Sequence, residues 1–163
     1  MKPLNPVEAR LAAAGWRLPD PPIPRGSYAP FHEMALPNAT LVHVSGQASR
    51  LDGEPIVGVC RQGADVEPAR QACAQAALSA VAALRLVCGG DLGRVRAVPQ
   101  LRGYLRTDAD FGEHSAVLDG ASQVLQAAFP DMPRPARTAV GVSSLPCGCW
   151  AEVELSALVD RPE

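Results

Sequence analysis

The chain has 163 residues, of which 47% are hydrophobic and 20% charged, and a formal net charge of −2. That length buries a core in one domain without staples, and that charge offers no excess to attract nucleic acid or a membrane surface. Five cysteines, an odd number, with no unbroken apolar stretch in MKPLNPVEARLAAAG and no run of membrane-spanning length, point to a reducing interior and a cytoplasmic protein.

Half of the 16 prolines fall in the first 37 residues. Between them, Val7 to Ala14 is rich in alanine and leucine and predicts a short helix stopped by Gly15. Leu18 to Pro24 (LPDPPIP) is barred from helix and central strand, because proline lacks the N–H and restricts the residue before it. Residues 1–25 are therefore expected as a helix and a proline-rich arm laid over the surface of a domain formed by residues 26–163. Tyr28 to Leu36 and Thr40 to Ser45 flank Pro37-Asn38 and predict a hairpin. In its second strand Leu41, His43 and Ser45 share one face, and Val42 and Val44 the other. Ser45-Gly46-Gln47 ends the strand, and its glycine permits a bulge or the close approach of a ligand. A turn at Asp52-Gly53 leads to a short strand near Pro55 to Val59.

From Pro68 the period changes. Ala69, Ala72, Cys73, Ala76, Ala77, Ala80, Val81, Leu84 and Val87 form a helical stripe that opens at Pro68 and stops at Gly89-Gly90. Val95 to Leu105 reads as a strand in which Pro99 demands an edge or a bulge. Phe111 to Phe129 reads as a second long helix, ended by Pro130 and Pro133. Ala136 to Val142 and Trp150 to Val159 close the chain as a second hairpin. This order predicts an α+β domain: a single mixed β-sheet with two helices packed on one face.

In the last strand Ala151, Val153, Leu155, Ala157 and Val159 point toward the helices, while Trp150, Glu152, Glu154, Ser156 and Leu158 point away. That second face is either wet or set against another subunit. Arg137, at the head of the preceding strand, pairs with a neighbouring carboxylate or with a substrate acid; spacing leaves both open. Cys147-Gly148-Cys149 has no second cysteine pair, and the three histidines are scattered, so no metal or cofactor is expected. His43 is expected as a hydrogen-bonded core or cleft residue, Arg102 and Arg106 as surface charges, and Glu154 as structural.

PARTAVGVSSLP followed by AEVELSAL resembles the C-terminal signature of the RidA/YjgF family: a P-A-R-[ST] strand start, a V-x-x-L-P turn and a strand carrying two glutamates one residue apart. Gly26-Ser27-Tyr28 is similar to the family's G-x-Y opening, and Val44-Ser45-Gly46-Gln47 to its [TV]-S-G-Q strand end. The resemblance runs from Gly26 to Val159, with the preceding segment like the N-terminal arm of a longer branch. It implies a chorismate-mutase-like fold and a homotrimer with ligand clefts between subunits. It also implies cofactor-independent, metal-free hydrolysis of reactive 2-imino or enamine acids, such as 2-aminoacrylate, to 2-oxo acids and ammonia. By position, Arg137 takes the role of holding the substrate carboxylate and Glu152 that of directing water. Tyr28, Gly46 and Gln47 line the cleft. Asp119 stands near the substrate where relatives often have asparagine, and Ala139 stands where many carry cysteine. The implied partners are a small imino or keto acid and further copies of the chain, with no membrane and no nucleic acid. The alternative from another class is a non-catalytic binder of small carboxylate metabolites in the same inter-subunit cleft. Some relatives are labelled ribonucleases, but the acidic balance and the lack of a basic aromatic patch count against that activity.

Overall fold

The computed structural model describes residues 5–161. The first four residues of the expected arm and the last two of the expected domain lie outside that range. In chain order the elements are α1 (Pro6–Ala13), β1 (Phe31–Leu36), β2 (Ala39–Ala48), β3 (Arg50–Leu51), β4 (Glu54–Pro55), α2 (Glu67–Val87), β5 (Val95–Arg106), α3 (His114–Ala128), β6 (Ala136–Val142) and β7 (Ala151–Val159). Five strands form one sheet in the order β1-β2-β7-β5-β6, with β5 and β6 parallel and the other pairs antiparallel. The mixed α+β sheet covered on one face is as the periodicities predict.

One expectation needs correction. The last two strands are not a hairpin: β5 lies between them, β6 runs parallel to β5 at the sheet edge, and β7 is the central strand. A period of two fixes which side chains share a face but carries no information on which strand is the neighbour. The irregular stretch 143–150 is long enough to carry the chain past the end of β5, as a tight hairpin turn is not. The short helix expected over Val7 to Ala14 is present as α1, which buries Val7 and Leu11 in the core beside α3. Asn5 caps α1 by accepting from the Val7 N–H at 2.9 Å, and Arg10 donates to the Ala128 carbonyl at the end of α3 at 2.9 Å.

Boundaries move for local reasons. The first strand begins at Phe31, not Tyr28, because Pro30 has no N–H to give the ladder. Its hairpin turns at Pro37-Asn38, with Leu36 opposite Ala39. In β5, Pro99 falls where the register with β7 shifts, and before the pairing with β6 begins at Gln100, so no ladder bond is lost. The turn between β3 and β4 puts Asp52 and Gly53 at positive φ (50° and 87°), the geometry of a two-residue hairpin.

The helix face of the sheet is dry. Val42, Leu101, Leu105, Val153, Ala157, Leu118 and Val124 are all fully buried. Two glycines set how closely its layers meet. A Cβ on Gly120 of α3 would fall 2.0 Å from the Arg70 carbonyl oxygen of α2, and one on Gly103 of β5 would fall 2.3 Å from a Leu118 methyl. The alanines of α2 serve the same close approach, with Ala72, Ala76, Ala77, Ala80 and Ala83 fully buried. Trp16 and Leu18 extend this core, so the chain after α1 is pinned at its start, whereas Ile23 is 85% exposed.

Candidate functional site

The open face of the sheet carries Glu152 and Glu154 on β7, as the alternation predicts, beside Arg102 and Tyr104 of β5. Glu152 stands opposite Ala48 on one side and Tyr104 on the other. Next to it the register of β2 against β7 shifts between Val44 and Gln47, so the Ser45-Gly46-Gln47 segment is a bulge. The bulge makes room for the carboxylate. A Cβ on Gly46 would fall 2.0 Å from Glu152 Oε1, so Gly46 is the residue that lets this side chain lie against the backbone. Gln47, nearly buried, donates from Nε2 to the Ser45 carbonyl at 2.8 Å and stiffens the bulge.

Tyr28, Gly46, Gln47 and Glu152 line one groove of about 1250 Å³, walled on its other side by the proline-rich segment from Arg17 to Arg25. Tyr28 is half exposed there, and its hydroxyl accepts from the Arg25 backbone N–H at 3.4 Å. Burial, and secondarily the nearby Glu154 carboxylate, hold the Glu152 carboxyl above its usual range. Glu154 has a cation of its own: Arg102 donates to its Oε1 at 2.8 Å, and Tyr104 does so at 3.4 Å. Arg102 also donates to Gln100 Oε1 at 2.8 Å. Farther along the face, His43 Nδ1 lies 2.9 Å from Ser156 Oγ.

Arg137 and Asp119 are elsewhere. Leu101 is the register partner of Arg137, so the guanidinium leaves the sheet on the helix side, at its edge, and reaches α3. Its Nη1 donates to Asp119 Oδ1 at 2.6 Å and to Ser122 Oγ at 3.0 Å, and its Nη2 to the Ser115 carbonyl at 3.4 Å. Both residues border a second cavity, of about 430 Å³, with Leu125, Phe129 and Met132 on its apolar wall.

Of the predicted site residues, one chain thus brings together Tyr28, Gly46, Gln47 and Glu152, and separately Arg137 and Asp119. Two strand spacings and three residues of rise part the backbones of Arg137 and Glu152 by about 14 Å, and their side chains leave opposite faces. Arg102, Tyr104 and Gln100 are the members of the open-face cluster that sequence reasoning missed. The signal was present: in QLRGYLR the polar residues alternate with Leu101, Gly103 and Leu105. Reading each arginine alone made Arg102 a surface charge and left its carboxylate partner unseen.

Among the described residues no three histidine, cysteine, aspartate or glutamate side chains converge as a metal site, and no helix is long and apolar enough to cross a membrane. Of the five thiols Cys147 alone is exposed. Burial pushes Cys73 up to about 12 and Cys60 and Cys88 up to about 11.

A family model described as "YjgF/chorismate mutase-like, putative endoribonuclease" matches residues 8–158. Protein TCP17 of Trypanosoma cruzi is 34% identical over 163 residues, covering 94% of this chain and 93% of its own. The crystal structure of Atu1372 from Agrobacterium tumefaciens, a protein of unknown function, is 30% identical with a TM-score of 0.83, covering 94% of this chain and 92% of its own. The YjgF gene product of E. coli shares the fold at 22% identity and a TM-score of 0.57, over 87% of this chain and 94% of its own.

Proposed function

The chain belongs to the YjgF/chorismate mutase-like family, and from that premise we propose that it hydrolyses reactive 2-imino and enamine acids to 2-oxo acids and ammonia. The observation that carries this reading is Glu152: a partly buried carboxyl, raised above its usual range, seated on a glycine bulge at the wall of a groove. A carboxylate of raised pKa is a better base near neutrality than an exposed one.

In this reading water sits between Glu152 and C2 of the bound iminium acid. The water oxygen forms a bond to C2, the π electrons of the C=N bond pass to nitrogen, and Glu152 takes the water proton. The carbinolamine then collapses: its nitrogen takes the proton back from Glu152 and leaves as ammonia, and the hydroxyl gives its proton to the freed Glu152 carboxylate as it becomes the carbonyl of the 2-oxo acid. The protonated imine is already electrophilic, so the chain has to supply only position and a base.

Position requires a cation for the α-carboxylate, and Arg137 is the family-matched residue. Because it leaves the opposite face from Glu152 within one chain, the complete site joins Glu152 of one copy to Arg137 of the next. We read the assembly as a cyclic homotrimer in which the open face of each sheet receives the β6 edge of a neighbour. That arrangement also gives Leu158 and the Arg102–Glu154 pair a cover. The chain is read as a cytoplasmic protein.

One observation favours the second reading, a non-catalytic binder of carboxylate metabolites. Asp119 already holds Arg137 at 2.6 Å, so a substrate acid must share or displace that carboxylate. Against a polyanion such as RNA stand the net charge of −2 and the two glutamates of the open face. The deciding experiment is the hydrolysis of 2-iminopropionate generated in situ. The hydrolase reading expects acceleration by the wild type that is lost in Arg137→Ala and in Glu152→Gln. A folded wild type inert toward several imino acids, yet still binding the corresponding keto acids, would establish the binder.

A further inference from the structure

The groove that holds Glu152 contains a pair of cations which the hydrolase reading does not use. Arg17 in that groove is paired with Asp52 at 3.0 Å, and Glu154 with Arg102 at 2.8 Å, so Asp20, Glu152, Arg25 and Arg50 are its charged residues outside those pairs. Arg25 and Arg50 both donate to the Gly53 carbonyl, at 3.5 and 3.0 Å, and Arg50 has one further acceptor, Cys147 Sγ at 3.5 Å. Neither lies within 4.0 Å of a carboxylate among the described residues. Two guanidinium groups brought to one neutral oxygen repel each other and leave most of their donors unused, a cost that an anion placed between them removes. They come from different parts of the chain, Arg25 from the proline-rich segment and Arg50 from β3.

Arg50 opens the small β3–β4 sheet just after β2 leaves its pairing with β7. Ala48 is the register partner of Glu152 and Arg50 lies two residues farther along, so the two Cα positions are about 8 Å apart. A ligand with its reacting carbon at Glu152 therefore reaches the arginine pair with a group three or so bonds away. Resting on the hydrolase reading of this same groove, we infer that the substrate is an imino acid bearing a second, distal anion, held by Arg25 and Arg50. Its α-carboxylate goes to Arg137 of the neighbouring copy, its iminium to Glu152, and its far carboxylate or phosphate to the arginine pair. Monoanionic imino acids leave that pair empty.

The test reads binding, so that it stands apart from turnover. Calorimetric titration of the full-length protein with 2-oxoglutarate, 3-phosphohydroxypyruvate and 2-oxobutyrate compares two acids that carry a second, distal anionic group with one that carries none. At least one acid with a distal anionic group is expected to bind about tenfold or more tightly than 2-oxobutyrate, as a charge-assisted pair at a preformed site provides. Which of the two binds more tightly identifies the distal group as carboxylate or phosphate. Arg25→Gln and Arg50→Gln should each remove most of the preference and leave 2-oxobutyrate binding as it was. Arg50→Lys, which keeps the charge, should retain part of it. Equal affinity for all three acids, absence of binding by all three, or a preference that survives both glutamine variants overturns the inference. Tight binding of an acid with a distal anionic group by a protein that accelerates no imine hydrolysis would overturn the hydrolase reading alone.

Discussion

The two faces of the sheet are built from the same strands and hold opposite kinds of side chain. On the helix side, β5 and β7 present Leu101, Leu105, Val153 and Ala157, fully buried beneath α2 and α3. On the open side the same strands present Arg102 and Tyr104 hydrogen-bonded to Glu154, with Glu152 beside them. One glycine on each side makes the difference concrete. Gly103 gives its space to a leucine methyl, whereas Gly46 gives its space to a carboxylate. The first close contact serves packing, and the second seats a carboxyl in the wall of the groove. Substitutions on the two faces should therefore fail differently, one side in folding and the other in chemistry.

The largest effect expected is on the open face. Glu152→Gln should slow imine hydrolysis by about 10²- to 10³-fold, the usual contribution of a positioned base, in steady-state assays. Its stability should move the other way. The folded-state pKa of Glu152 is raised, so the native state binds that proton more tightly than the unfolded chain does. Wild-type stability consequently falls as pH rises from the ordinary carboxylate value through the raised one. The amide of the Glu152→Gln variant does not titrate and escapes that loss, so thermal melts should show the variant gaining on wild type across that window. A variant that loses stability in step with activity would assign Glu152 to the fold.

Next in size is Leu118→Ala on the dry face, which should cost about 3 kcal/mol in urea unfolding, transfer and cavity terms together. The rate per folded molecule should stay unchanged. Gly46→Ala sharpens the comparison further. Its Cβ displaces only the flexible end of Glu152, so activity should drop about tenfold while the melting temperature stays near that of wild type. The smallest effect is a shift in pH profile. The rising limb should have its midpoint above the ordinary carboxylate range, because burial and then Glu154 raise Glu152. Glu154→Gln removes the second cause and should move that limb to lower pH, with little change in the plateau rate.

How much of this was legible depended on which physical signal each feature leaves in one dimension. The long helix over Glu67–Val87 and the two faces of β7 follow from spacing alone, since burial imposes a period. The bulge at Gly46 was marked by a glycine after a strand run, although its occupant, a carboxylate from more than a hundred residues later, was not. The β6–β5 pairing left no such mark. Residues 136–142 and 151–159 are neighbours in sequence and flank a turn-like stretch, which reads as a hairpin, and only the ladder shows β5 between them. That single topological fact carries Arg137 to the helix side. The Asp119 partner of Arg137 was in the right helix to be suspected, but a salt bridge across 18 residues has no periodic trace.

The central claim is that Arg137 and Glu152 work together only across a subunit boundary. Arg137→Ala and Glu152→Gln proteins, each inactive alone, can be unfolded, mixed in equal amounts and refolded together, and assayed with 2-iminopropionate. With one residue from each of two adjoining copies, random mixing leaves about a quarter of the sites carrying both intact groups, and the account predicts that share of the wild-type rate. A refolded mixture of native size that stays as inactive as its components would contradict it.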